Sequence, residues 1–121
     1  IVVCPTERPE LHRRIEHRFD AMLEAGFEEE LRALAERDLS PDLPALRAVG
    51  YRQGLAWLRG EFDRREMREK ALAASRQLAK RQLTWFRREQ PTLWVDPREE
   101  GLADRLAEEI RTRYSSGEDF L

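Results

Sequence analysis

Apolar positions recur at helical spacing along most of the chain. Leu11, Ile15, Phe19, Met22 and Leu23 follow the rhythm of one helix face, and Gly26 closes the run. Thr6 is placed to cap this helix, with Glu7 and Glu10 near its positive end and Pro9 tolerated in the first turn. Phe27, Leu31 and Leu34 mark a second, shorter helix that opens on the acids Glu28, Glu29 and Glu30. The Ser40-Pro41-Asp42-Leu43-Pro44 stretch reads as a turn or loop. Tyr51 to Arg59 predicts a third helix, ended by Gly60. Asp63 and Glu66 have the spacing of a capping box and open a long helix to about Arg88, where Pro91 prevents continuation. Leu102, Leu106 and Ile110 define a last amphipathic helix, and residues 115–121 read as a frayed polar tail.

Only two stretches read as strands. Ile1-Val2-Val3-Cys4 is a short β-branched run ended by Pro5, and its one plausible partner is Leu93-Trp94-Val95. Two such strands make a marginal sheet by themselves, which suggests that further strands lie outside this segment. The chain also opens in a strand and without Met, so a piece of a longer protein is expected. The fold class expected is therefore mainly α, with short strands at about 1–4 and 93–95.

The long helix carries the most information. Leu72, Ala79, Leu83 and Phe86 fall on one side, and Ala71, Ala74, Leu78 and Trp85 widen it into an apolar arc. Arg76, Gln77, Lys80, Arg81, Thr84, Arg87 and Arg88 fill most of the remainder, and no acid occurs between Lys70 and Arg88. Exposed helices ordinarily mix both signs, because acid–base pairs one turn apart stabilise them. Unpaired positive charge beside a wide core face points instead to an anionic partner. The competing expectation is that acids of the first or last helix neutralise this face.

The net charge of −2 over 121 residues hides that asymmetry. Residues 1–46 hold 6 basic and 11 acidic groups, whereas residues 64–95 hold 9 and 3. The basic charge is local, so the overall balance does not argue against a polyanion partner. A second stretch, Arg47-Ala48-Val49-Gly50-Tyr51-Arg52, puts a glycine in a turn between two arginines and a tyrosine. Arginine can fork onto phosphate, and tyrosine can stack on an unpaired base. The bland alternative is a helix-start glycine beside a packed tyrosine.

Other chemistry is absent from the pattern. His12 and His17 are five apart, off one helix face, and read as surface helix residues. The single Cys4 reads as a buried structural thiol of a reducing, cytoplasmic protein. No Gly-rich phosphate loop, metal-ligand spacing or catalytic centre is recognisable, and no apolar run approaches the roughly 20 residues of a membrane span.

Taken together, "RAVGYRQ" and "SRQLAKRQLTWFR" resemble the R-x-V-G-Y-R-Q and T-R-Q-L-A-K-R-Q-x-T-W-L/F-R segments of the bacterial tRNA dimethylallyltransferases (tRNA isopentenyltransferases). The upstream "RIEHRFDAMLEAGFEEELRAL" is similar to another segment of that family, and the resemblance runs from about Ile1 to Val95. It implies a P-loop-type α/β enzyme, whose sheet the two short strands would complete, with an inserted helical domain. It implies transfer of a dimethylallyl group from dimethylallyl diphosphate to N6 of the adenosine 3′ of the anticodon. In the family, Mg²⁺, the P-loop and an aspartate base belong to N-terminal elements that this chain does not match. The chain is thus expected to be a single C-terminal segment, 1–121, of a cytoplasmic, monomeric enzyme that binds a tRNA anticodon stem-loop.

The resemblance assigns tRNA contact to Arg47, Ala48, Val49, Gly50, Tyr51 and Arg52. It assigns a second contact to Lys80, Arg81, Gln82, Leu83, Thr84, Trp85, Phe86 and Arg87. On physical grounds Arg47, Arg52, Lys80, Arg81 and Arg87 would hold phosphates, while Gln82 and Thr84 would reach a base edge or ribose. Leu83 and Phe86 are expected to pack inside, and Trp85 to favour the core. Arg14, Arg18 and Arg76 are candidates for the diphosphate side. No catalytic residue is expected here. The rival classes are a stand-alone helical RNA- or DNA-binding module and a helical domain for an acidic protein partner.

Overall fold

The computed structural model describes residues 1–40, 42–89 and 93–115. Strand β1 (Val2–Val3) leads into helix α1 (Arg8–Glu24) and helix α2 (Phe27–Ala35). A short 3-10 helix, Pro44–Arg47, precedes α3 (Tyr51–Leu58) and the long α4 (Arg64–Arg88). Strand β2 (Trp94–Val95) and helix α5 (Leu102–Ser115) follow. The architecture is mainly helical with one short strand pair, as expected. Pro41, the stop expected at Pro91 and residues 116–121 lie outside the described residues.

The strand pair is parallel, with Val2 opposite Trp94 and Val3 opposite Val95. The Val2 amide donates to the Leu93 carbonyl at 2.8 Å, and the Cys4 amide donates to the Val95 carbonyl at 2.9 Å. Val2 and Val95 are buried, whereas Val3 and Trp94 on the other face are exposed.

Helix boundaries follow local chemistry with one correction. Thr6 does not cap α1; Glu7 occupies the cap position and makes no side-chain cap hydrogen bond. The Thr6 amide and hydroxyl donate to Asp96 at 2.8 and 2.9 Å, so this residue ties the chain to the end of β2 instead. Gly26 separates α1 from α2 at φ +100, a left-handed conformation in which a side chain would be strained. Asp63 caps α4 by accepting from the Glu66 amide at 2.8 Å. The reciprocal half of the capping box is replaced, because the Glu66 carboxylate pairs with Lys70 at 3.3 Å.

The core is made by Phe19, Phe27, Leu31, Met67, Ala71 and Leu72, with Leu31 and Met67 fully buried. It joins α1, α2 and the first half of α4. Phe27 stands edge-on to Phe19 at 6.0 Å and to Tyr51 at 5.3 Å, which brings the start of α3 into the same cluster. Gly54 of α3 lies directly over Leu31, where an added Cβ would sit 2.3 Å from Leu31 Cδ1. Across the rim, Arg68 of α4 donates to Asp20 at 2.7 and 2.6 Å and to Glu16 at 2.9 Å, clamping α4 to α1. Helix α5 buries none of its residues and leaves Ile110 and Tyr114 exposed.

Two outcomes follow from this packing. Gly54→Ala should destabilise the chain by about 1–3 kcal/mol, because Leu31 has no free space to move into, and urea unfolding would measure the loss. Hydrogen bonds from Arg68 hold the Asp20 carboxyl below its ordinary pKa. A lowered folded-state pKa adds stability above the unfolded value and loses it as pH falls through the folded one. Asp20→Asn should therefore unfold more easily than the parent at neutral pH, and the gap should close below the ordinary aspartate range.

Candidate nucleic-acid interface

Helix α4 is divided electrostatically along its length. Among the described residues, the ion pairs of this helix lie in its first two turns: Arg64 with Glu28, Arg65 with Glu69, Arg68 with Glu16 and Asp20, and Lys70 with Glu66. From Arg76 onward, Arg76, Lys80, Arg81, Arg87 and Arg88 have no ion-pair partner among the described residues. Glu16 and Asp20 of α1 and Glu28 of α2 pair with the other end of α4. The expectation that acids of the first or last helix neutralise the distal face is not met among the described residues.

The apolar arc is divided as well. Ala71 and Leu72 are in the core, but Leu83 and Phe86 are only half-buried, and Trp85 is 57% exposed. Leu78 is exposed too. The expected inward packing of Leu83, Phe86 and Trp85 is thus corrected. The physical reason is cover: the core of α1 and α2 packs on the first half of α4, whereas the second half faces a cleft. Trp85 stands edge-on to Phe86 at 5.2 Å and presents an open ring face.

Beneath this distal half runs a cleft of about 600 Å³. One wall is α4, with Arg76, Ala79, Lys80, Leu83, Thr84 and Arg87. The other is the start of α1, with Arg8, Leu11 and His12, and the carboxyl ends of β1 and β2, from Cys4 to Thr6 and Trp94 to Asp96. In parallel sheets, ligands are ordinarily held at the carboxyl ends of the strands. The Arg76 Nε is buried with no hydrogen-bond partner, leaving a donor of this half-buried side chain unsatisfied. Burial first, and then Asp96, raise the pKa of the Cys4 thiol, while Arg87 opposes them. Cys4 Sγ also reaches the Pro5 carbonyl at 3.5 Å.

Arg81, Gln82 and Arg87 are exposed. The Thr84 hydroxyl donates to the Lys80 carbonyl at 2.9 Å within the helix, so it retains only acceptor capacity for a ligand.

The Arg47–Arg52 stretch is built differently. Arg47 ends the 3-10 helix and is exposed, Ala48 is exposed and Val49 half-buried, and Arg52 is exposed on α3. Gly50 is buried at φ +93, and its amide donates to Gln53 Oε1 at 2.9 Å. Tyr51 is packed on Phe27 and its hydroxyl donates to Glu30 at 2.5 Å. That hydrogen bond raises the Tyr51 pKa. Its ring is therefore held against the protein rather than offered for stacking. Among the described residues no hydrogen bond, ion pair or ring contact joins this stretch to Lys80–Arg87.

The three diphosphate-side candidates are also separated. Arg76 lines the cleft, whereas Arg14 and Arg18 border a shallow groove with Glu10, Arg13 and His17. Arg14 Nε pairs with Glu10 at 3.1 Å, and Arg13 pairs with the same carboxylate. Sequence reasoning missed Arg8, His12, Trp94 and Asp96 as cleft residues. The one-turn spacing of Arg8 and His12 on α1, opening from the end of a strand, was the available signal. His12 is half-buried in the cleft rather than a plain surface residue. Among the described residues no group of three or more His, Cys, Asp or Glu side chains could hold a metal ion. No described helix is long and apolar enough to cross a membrane.

Comparison with known proteins agrees with this arrangement. Residues 1–89 match the model of the IPP transferase family. The tRNA dimethylallyltransferase of Bordetella avium is 52% identical over 114 residues, covering 93% of this chain and 36% of that protein. That of Stenotrophomonas maltophilia is 50% identical over 118 residues, covering 93% and 37%. The crystal structure of the full-length tRNA isopentenylpyrophosphate transferase of Bacillus halodurans superposes with a TM-score of 0.78 at 31% identity, over 96% of this chain and 38% of that one. The chain therefore spans little more than a third of the length of the relatives it matches. With its fold and its family motifs matched together, this chain belongs to the IPP transferase family.

Proposed function

We propose that this chain is the C-terminal, tRNA-binding part of a tRNA dimethylallyltransferase. The observation that carries this is the acid-free, unpaired basic half of α4, which stands over a cleft and carries an exposed Trp85. Lys80, Arg81 and Arg87 hold phosphates of an anticodon stem-loop, giving affinity and register rather than base choice. Gln82 offers an exposed amide to a base edge or ribose, and Trp85 offers a ring on which an unpaired base can stack. Arg47 and Arg52 hold phosphates at a second place, while Gly50 and Tyr51 shape the turn that presents them. Val49, Leu83 and Phe86, each half-buried, support these two surfaces by packing, and exposed Ala48 lies on the first of them.

In the intact enzyme, N6 of an extruded adenosine attacks C1 of dimethylallyl diphosphate, the C–O bond breaks, and diphosphate leaves. The N6 proton passes to a base outside this chain. On this proposal the P-loop, its Mg²⁺ and the inserted domain also lie outside it, and β1 and β2 join their sheet. The protein acts as a cytoplasmic monomer. An isolated RNA- or DNA-binding module and a domain for an acidic protein partner are both disfavoured by family membership.

Titration of this chain with an anticodon stem-loop at several salt concentrations tests the proposal. Lys80→Ala/Arg87→Ala should weaken binding and flatten the dependence of log affinity on log salt by roughly 2 units, one per lost phosphate contact. An unchanged slope would remove the basic helix from the RNA surface. In the intact transferase, Arg47→Ala/Arg52→Ala should raise KM for tRNA by about tenfold or more with a smaller change in kcat, since the arginines bind ground and transition states alike. A fall in kcat alone would refute that role.

A further inference from the structure

Among the described residues the only acid lining the cleft is Asp96, and its carboxylate is already committed. Oδ2 accepts from the Thr6 amide at 2.8 Å, the Thr6 hydroxyl at 2.9 Å and Arg98 Nη2 at 2.8 Å. Oδ1 accepts from the Arg98 amide at 2.9 Å and Arg98 Nε at 3.0 Å. An ionised carboxylate offers about four lone-pair sites, so donors to Asp96 already outnumber its acceptor capacity. Across the cleft, Lys80 and Arg87 have no ion-pair partner among the described residues. Asp96 and Arg87 both act on the Cys4 thiol, in opposite directions, which puts the two charges in one electrostatic neighbourhood. An acid facing unpaired cations over a partly enclosed cleft would ordinarily pair with them.

We infer that Thr6 and Arg98 are positioning residues: by saturating Asp96 they hold it out of ion pairs with Lys80 and Arg87, leaving those cations to an anionic ligand. The inference rests on α4 being an anion-binding face. The same contacts join the carboxyl end of β1 to that of β2, so one clamp both shapes the cleft wall and sets the charge of the opposite wall. Arg98 is a surface side chain, and its removal takes two of the five donors from Asp96 without touching the core.

A charge-reversal cycle on this chain separates sequestration from simple bracing. The probes are inorganic pyrophosphate and, separately, the anticodon stem-loop. Arg98→Ala should weaken both by about three- to tenfold, as Asp96 turns to neutralise one cation. Adding Asp96→Asn to Arg98→Ala should restore affinity to within about twofold of the parent, because the neutral side chain no longer competes. A brace alone predicts that the double variant binds no better than Arg98→Ala. That result, parental affinity in Arg98→Ala, or a parent chain that ignores pyrophosphate would each overturn the inference. Rescue seen with pyrophosphate in a chain that ignores RNA supports the clamp and overturns the tRNA proposal instead. Arg98→Gln repeats the cycle with side-chain bulk kept. As a readout independent of binding, Lys80 ammonium protons should exchange with solvent more slowly in Arg98→Ala, and unchanged exchange would refute the inference.

Discussion

Burial of Met67, Ala71 and Leu72 against Phe19, Phe27 and Leu31 is the contact on which the rest of this structure depends. It uses only the first half of a 25-residue helix. At a rise of roughly 1.5 Å per residue, the remaining turns run on past that core and form one wall of a cleft whose other wall includes the start of α1. A firmly seated helix thus becomes a lever that carries side chains out over the β1–β2 ends. Gly54 serves the same contact by letting α3 approach Leu31 more closely than any side chain would permit.

Charge is distributed to suit that geometry. Arg64 and Arg68 take up Glu28, Glu16 and Asp20 where α4 is seated, so the acids of the N-terminal helices are spent holding the scaffold. Such rim pairs add little stability each, and their worth lies in fixing how α4 lies on α1. Farther along, the cations have no ion-pair partner among the described residues, and Asp96, the acid among the described cleft residues, is occupied by Thr6 and Arg98. The result is a local positive field on a chain whose net charge is −2. Fields of this kind steer polyanions and depend steeply on salt.

On the proposed function, the catalytic groups lie outside this segment. Its polar side chains are placed to hold and to orient, and its carboxylates are engaged in ion pairs or scattered on solvated faces. For a reaction in which a base must first leave its stack, a rigid, positively charged platform is a substantial contribution.

Helical periodicity, the Asp63 cap and the Gly26 and Gly60 breaks were enough to place four helices closely, since these signals are local and act within a turn or two. The pairing of Val2–Val3 with Trp94–Val95 was also legible, because no other β-branched run competed for it, although its parallel direction was not. The absence of acids between Lys70 and Arg88 announced a basic face directly. What periodicity cannot express is how far a covering helix extends. Leu83, Phe86 and Trp85 share an arc with Leu72, yet only Leu72 is fully covered by the core, Leu83 and Phe86 being half-buried and Trp85 exposed. Likewise Thr6 had the chemistry of a cap but found Asp96, a residue 90 positions away. Local pattern therefore decided which elements form and which of them is positively charged. Long-range packing decided which part of each apolar face is covered, which acids are consumed, and where the cleft lies, because these depend on contacts between residues remote in the chain.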